Sequence, residues 1–348
     1  MNFQRNRDID AVKGLGIILV VLGHNWLSYG NKGELFNVIF SFHMPLFFFV
    51  SGLLLKNKAF QINSLQEKIS SLLKPYFVVL GFLGLLKYLY SLINANYHFD
   101  IYPYMIGMLW GGGESINWVP MWFLPHLFVA TFIALSFIKI QEALEMRLPS
   151  KYGVTLIAML VGAKFLSLFW MPSYSGELAL ANYRGLPWSL DVVLVSSSII
   201  VFGFLSKNYF MKFTGKGYLA FFGVGLFGFL HLYFDETIDL NMRHYGDPWI
   251  STVQAVLGIY LIFEISQIMK KNDVVFALFS YIGSASLFIL IFHTFFQGFV
   301  FEVLVRVLSE HDNIVAVISL VAGIVGSVIF WEVAKRNSFL KMLLLPAK

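Results

Sequence analysis

Cysteine is absent from all 348 residues. That excludes a disulfide framework, a thiolate metal site and a cysteine nucleophile, and leaves any chemistry to His, Asp, Glu, Lys, Ser, Thr and Tyr. Charge is also scarce: 13% of residues are Asp, Glu, Lys or Arg, against roughly 25% in a soluble domain. No low-complexity linker, internal repeat or long polar stretch interrupts the chain, and no segment reads as a soluble catalytic domain. No small-residue cleavage site follows the first apolar run, so that run reads as a retained span and not a signal peptide. Apolar surface is what the chain has in quantity: 58% of residues are hydrophobic and 18% aromatic, with a mean hydropathy of +0.72. In water such a composition would expose large apolar patches, so lipid is the fitting solvent.

Each crossing of the hydrocarbon needs about 20 mostly apolar residues. Such stretches lie near 12–29, 35–55, 75–93, 118–138, 152–171, 188–206, 218–234, 250–269, 274–297 and 313–334. They predict an all-α fold, a polytopic transmembrane helix bundle of about ten spans forming one domain over 1–348. The stretch 101–113 is apolar but short and glycine-ended, and reads as an interfacial or re-entrant piece. Lys and Arg concentrate in cytoplasmic loops, and their placement gives the orientation. With the N-terminus inside, Arg5, Arg7, Lys13, Lys56, Lys58, Lys68, Lys74, Lys139, Arg147 and Lys151 fall on the cytoplasmic side. Lys207, Lys212, Lys216, Lys270, Lys271, Lys335, Arg336, Lys341 and Lys348 join them. Lys32, Lys87, Lys164, Arg184, Arg243 and Arg306 do not. The opposite loops carry acids such as Glu34, Asp100, Glu177, Asp235 and Asp247. Both termini are therefore expected in the cytoplasm, the net charge of +5 is topological, and no nucleic-acid partner is implied.

Ionisable groups within spans cost on the order of 2.5–3.5 kcal/mol each on insertion scales, so each is a candidate for function. The first span reads Asp10, then Lys13, then ten residues to His24. At about 100° per residue Lys13 and His24 share one helix face, roughly 16 Å apart along the axis, with Asp10 one turn before Lys13. The second span carries His43 and Pro45, with Ser51 and Gly52 near its cytoplasmic end. Antiparallel packing of the two spans puts His24 and His43 at similar depth. His43 also fits a helix–helix hydrogen-bond partner. His126, His231 and His293 read as packing or cavity-lining residues, and His98, His244 and His311 as solvated loop residues.

These blocks resemble the acyltransferase 3 family of bacterial membrane proteins, and within it the branch described as fucose 4-O-acetylase-like. The likeness rests on RDIDAVKGLGIILVVLGH (7–24), FHMPLFFFVSGLLLK (42–56) and KISSLLKPYF (68–77), with WVPMWFLPHLF (118–128) and IGSASLFILIFH (282–293) similar to later blocks. The resemblance implies roughly ten helices in the bacterial inner membrane and a cytoplasmic acetyl-CoA donor. It also implies an acceptor hydroxyl on an envelope polysaccharide or its lipid-linked precursor, with the polysaccharide assembly machinery as a further partner. The family's first-helix signature, a basic residue, ten residues and an essential His, matches Lys13 and His24, with Lys where many members have Arg. Lys binds phosphate as a point charge and not as a bidentate fork.

Acyl transfer from a thioester to a hydroxyl needs a base, oxyanion stabilisation and cations for the CoA phosphates. The expected roles are His24 as base or transient acyl carrier, His43 as oxyanion donor or acceptor-positioning group, and Asp10 orienting Lys13. Lys13, Lys68 and Lys74, with Ser51 nearby, are expected at the CoA end, and no metal is expected. The segment 181–193 supplies Asn182, Arg184, Trp188 and Asp191 as a sugar shelf at the outer mouth, joined by Trp122. Membrane-interface anchoring is the other reading of the tryptophans. Two other functions fit the same residues. One is a saccharide or lipid-linked saccharide exporter, in which buried His and Asp carry protons. The other is a non-catalytic partner of a polysaccharide synthase.

Overall fold

The computed structural model describes residues 6–30, 33–55, 62–169, 185–308 and 313–346. These are overwhelmingly helical and form two compact units. The first unit opens with α1 (Arg7–Gly23), α2 (Glu34–Phe40) and α3 (His43–Leu53). The second holds α4 (Ile62–Lys68), α5 (Lys74–Ile93), α6 (Ile101–Trp110), α7 (Phe123–Ala143), α8 (Leu148–Phe169) and α9 (Val193–Leu205). The chain then returns to the first unit with α10 (Lys207–Phe210), α11 (Gly217–Tyr233), α12 (Pro248–Met269), α13 (Asp273–Ser284), α14 (Ser286–Leu308) and nearly all of α15 (Asn313–Arg336). The second unit closes with α16 (Ser338–Leu344), and the short segment 240–244 also belongs to it. The strands among the described residues are two residues long, β1 (Ile238–Asp239) and β2 (His244–Tyr245).

Among the described residues, seven helical stretches are long and apolar enough to cross a membrane: Glu34–Leu53, Ser64–Ile93, Val119–Ala143, Pro187–Leu205, Pro248–Met269, Ser286–Val307 and Asn313–Arg336. The expected spans at 12–29, 152–171 and 218–234 are helical as α1, α8 and α11 but are not among the seven. α1 and α11 have 17 residues each, about 26 Å at 1.5 Å per residue. Large apolar side chains face outward, as lipid requires: Phe221 on α11 is 77% exposed. The 101–113 stretch is a 10-residue helix, too short to cross, stopped by Gly111 in the left-handed region at φ 69°.

Three expected spans differ in detail. α1 stops at Gly23 with His24 as its C-cap, and a π-helical turn, Trp26–Gly30, comes next. The second span breaks at Ser41 and Phe42, and Pro45 sits in the first turn of α3, where its missing N–H costs no helical hydrogen bond. The expected span 274–297 is two helices meeting at Ala285. α13, at 12 residues, covers only about 18 Å, and the crossing moves to Ser286–Val307. The small residues Gly283 to Ser286 permit the break, and Gly283 is committed to a contact with α1.

That contact organises the first unit. α1 packs on α13 more intimately than on any other helix and also meets α3, α12 and α14. A Cβ added at Gly14 would strike the carbonyl of Phe279, and one at Gly283 the carbonyl of Asp10. The helices therefore touch backbone to backbone, as small residues allow where lipid supplies no hydrophobic drive for association. Beside the contact, Ile17, Val20 and Val21 of α1 pack with Ile282, Ala285 and Ile289. In the second unit α9 packs against both α7 and α8, with Gly162 of α8 against Leu194 and Val195. The Tyr76 and Tyr104 hydroxyls tie α5 to α6 by donating to Met108 and Leu80 carbonyls, each at 2.6 Å.

Overpacking a tight contact costs about 1–3 kcal/mol or more. Gly283→Leu should therefore lower the thermal midpoint by many degrees or abolish the monodisperse peak in detergent, whereas Gly298→Leu, whose Cβ would meet nothing within 4 Å, should elute as wild type. Size-exclusion chromatography with thermal scanning reads both.

Candidate active site

His24 closes α1. Its backbone N–H donates to the Val20 carbonyl at 3.1 Å, and its Nδ1 lies 2.8 Å from the same oxygen. A carbonyl only accepts, so Nδ1 carries the proton and Nε2 of the neutral ring presents a lone pair. The ring is half-buried and lines a cavity of about 210 Å³ with Asn25, Trp26, Tyr29, Gln297, Phe301 and Ser319. Gln297 holds the backbone here, its Nε2 donating to the His24 carbonyl at 2.9 Å. Asn25 donates to Ala316 O at 3.0 Å and to Ser319 Oγ at 3.1 Å, fixing the end of α1 to α15.

Two more imidazoles stand nearby. His293 of α14 is fully buried, with its ring centroid 5.7 Å from that of His24 in an edge-on arrangement. Phe40 lies between His24 and His43, with ring centroids 6.0 Å from the first and 4.6 Å from the second. His43 and His293 repeat the His24 pattern: each Nδ1 faces the carbonyl four residues earlier in the chain, Ile39 at the end of α2 and Ile289 within α14, at 2.9 Å. Nε2 of His293 is buried without a partner. The expected oxyanion role for His43 therefore needs a second proton on that ring, because its one proton is held by Ile39. His231, by contrast, is satisfied at both nitrogens, by Phe227 O and Ser41 Oγ, and packs. His98 and His244 are exposed, and His311 lies outside the described residues.

At the far end of α1, Lys13 Nζ is 2.7 Å from Asp10 Oδ1, and the Asp10 side chain is 7% exposed. Asn6 caps the helix by accepting from the Asp8 and Ile9 N–H groups. Lys270, at the end of α12, pairs with Asp8 at 2.8 Å, and Arg7 and Lys270 both lie over the Phe276 ring. The start of α1 and the end of α12 thus share one basic face of the first unit. Ser51 spends its hydroxyl on the Phe47 carbonyl at 2.8 Å.

The remaining expected residues lie in the second unit or outside the described residues. Lys68 lines a separate cavity of about 210 Å³ with Ser64, Glu67 and Thr131. Lys74 Nζ donates to the carbonyls of Met342 and Leu345 at 2.7 and 2.5 Å, anchoring the end of α16. Asn182 and Arg184 lie outside the described residues. The rest of the expected sugar shelf is internal. Trp122 is buried and stacks on His126. His126 Nδ1 donates to the Trp188 carbonyl at 3.1 Å, and its Nε2 is 2.9 Å from Ser196 Oγ. Trp188 Nε1 donates to Leu109 O. The Asp191 carboxylate has 0% exposure and is held by Arg243, whose Nε is 2.7 Å from Oδ2 and whose Nη2 is 3.2 Å from Oδ1. Arg243 also donates to Asn241 O and Ser189 Oγ. Trp188, Ser189 and Arg243 all have φ near +55°, and this network holds them there. A carboxylate so enclosed is held by the protein's own groups.

The sequence model of the acyltransferase 3 family, described as an acyltransferase domain, matches residues 6–332. The chain belongs to that family. No curated protein and no solved structure matches it. In this membrane acyltransferase the matched region includes both ends of α1 and the imidazoles around its carbonyl end. Gln297 is the residue beside His24 that sequence reasoning passed over, and His293 was read as packing or cavity-lining. They stand four apart on one face of α14, and that i, i+4 pair of polar residues within an apolar span was the available signal. Arg243 was equally missed as the partner of Asp191.

Removing one member of a buried ion pair costs about 3–5 kcal/mol, and replacing both with apolar residues costs far less. Arg243→Met in this acyltransferase should fall sharply in unfolding midpoint, and Arg243→Met with Asp191→Leu should recover most of the loss. Thermal unfolding of the purified variants in one detergent makes the comparison.

Proposed function

We propose that the enzyme transfers an acetyl group from acetyl-CoA to a sugar hydroxyl of a bacterial envelope polysaccharide or lipid-linked precursor, at the inner membrane, with His24 as general base. The observation that carries this reading is the free Nε2 of His24 at the wall of a cavity, on a ring whose other nitrogen is already fixed. The acceptor hydroxyl gives its proton to Nε2 as its oxygen attacks the thioester carbonyl. The tetrahedral intermediate collapses, the C–S bond breaks, and the leaving sulfur takes the proton back from the imidazolium, yielding the sugar ester and CoA thiol. The hydrogen bond to Val20 keeps the ring aligned through both transfers, and the carbonyl end of α1 steadies its transient positive charge.

The donor enters from the basic face. Lys13, oriented by Asp10, attracts the phosphates, and the roughly 16 Å to His24 is bridged by the pantetheine arm. Lys74 of the second unit already serves two carbonyls, and Lys68 lines a cavity of its own. The fucose 4-O-acetylase-like branch makes a deoxyhexose the first acceptor to try, and the polysaccharide assembly machinery is the partner that would deliver it. The acyltransferase family match gives no support to the exporter reading.

Positioned bases contribute about 10²–10⁴-fold. His24→Ala should lose at least a hundredfold in acetyl transfer from labelled acetyl-CoA, measured with purified protein, while eluting as wild type; transfer at the wild-type rate would remove His24 from the chemistry. Lys13→Ala should raise the KM for acetyl-CoA roughly tenfold, the size of one charge-assisted contact, with a smaller change in kcat. A fall in kcat alone would reassign Lys13.

A further inference from the structure

The cavity at the carbonyl end of α1 contains more than His24 needs for accepting a proton. Trp26 and Tyr29, in the π-helical turn, are 40% and 51% exposed, and Trp26 lies beside Phe301 of α14 with ring centroids 6.0 Å apart at 34°. The opposing wall is polar. Asn25 and Ser319 are fully buried and linked to each other. Gln297 is 7% exposed, and its Oε1 is a buried acceptor with no donor. Gly298 faces open space, where a Cβ would meet no atom within 4 Å. Aromatic faces beside amides and a hydroxyl suit a sugar ring, which is apolar on its C–H face and polar at its rim. Lipid chains would leave the polar wall unanswered.

We infer that this cavity, walled by Trp26, Tyr29, Phe301, Asn25 and Gln297 around His24, is the acceptor subsite and takes one pyranose ring. The inference rests on the acyl-transfer reading and moves the acceptor away from the expected 182–191 segment. The described part of that segment, Trp188 and Asp191, is engaged in internal hydrogen bonds. The position suits the chemistry: Lys13 is at the opposite end of α1, so donor and acceptor approach His24 from different directions. The ring packs against the aromatic wall that Trp26 and Phe301 form together, with one hydroxyl toward Nε2.

The absence of native cysteine makes a direct test available. Tyr29→Cys and Phe301→Cys, purified in detergent, are labelled with a maleimide in the presence of methyl fucoside, other methyl hexosides, acetyl-CoA or a short-chain phosphatidylcholine. A methyl glycoside should slow labelling at both positions at least fivefold, and acetyl-CoA should not. In parallel, Trp26→Ala should raise the KM for the glycoside roughly tenfold and leave that for acetyl-CoA within twofold, while Phe221→Ala on the outer face of α11 changes neither. Protection by the phospholipid alone, or glycoside transfer with no protection and no change in acceptor KM, would overturn the subsite and leave the acyl-transfer reading standing. Protection by a glycoside with no acetyl turnover in wild-type protein would keep the subsite and sink that reading.

Discussion

A neutral imidazole has one ring proton to place, and the carbonyl of Val20, 2.8 Å away, places it on Nδ1 of His24. The chemistry open to the site depends on that choice. The nitrogen at the cavity becomes an acceptor, able to take a proton from a hydroxyl and return it to a thiolate. The other proton tautomer would present an N–H to the cavity and could not begin the reaction. His24 is the C-cap of α1, and its ring folds back onto the Val20 carbonyl, which also accepts the residue's own backbone N–H. The end of the helix is thus a structural boundary and, in the proposed reaction, the seat of the base.

Holding that helix end in place is the work of the rest of the first unit. Backbone contact between Gly14 and Gly283 sets how close α1 and α13 come. The break at Ala285 then starts α14 at a height that brings His293 and Gln297 alongside His24. Asn25 reaches α15, so α14 and α15 both grip this short turn. Among the described residues no group of three His, Asp or Glu side chains could hold a metal ion; His24 has His293 on one side and Phe40, with His43 beyond it, on another. In the second unit the buried Arg243–Asp191 pair performs a comparable task, fixing backbone that would otherwise avoid the left-handed region.

Long apolar runs mark helices because lipid offers no partner for an unpaired backbone group, and each expected span is helical over most of its described length. Asp10, Lys13, His24 and His43 stand out in the sequence because ionisable residues are costly in such runs. The breaks were hidden: Ala285 and Phe42 sit inside apolar stretches, and hydropathy does not register a change of helix direction. Pairings distant in sequence were hidden too. Asp191 visibly lacked a partner, and Arg243 was among the few cations left off the basic side, but nothing local joined residues 52 apart. Trp122, Trp188 and Asp191 read together as a sugar shelf, and the contacts they make with His126, the Leu109 carbonyl and Arg243 were not legible from the sequence. Lys74 looked like a phosphate ligand, and the carbonyls it serves belong to a helix some 270 residues away.

The most direct measurement is the protonation of His24 itself, read by nitrogen NMR of histidine-labelled enzyme and assigned by difference against His24→Asn. At a pH where the ring is neutral, the expected signal is a protonated Nδ1 and a bare Nε2 that shifts when a glycoside is added. A protonated Nε2 in the neutral ring would contradict the role assigned to His24 at its root.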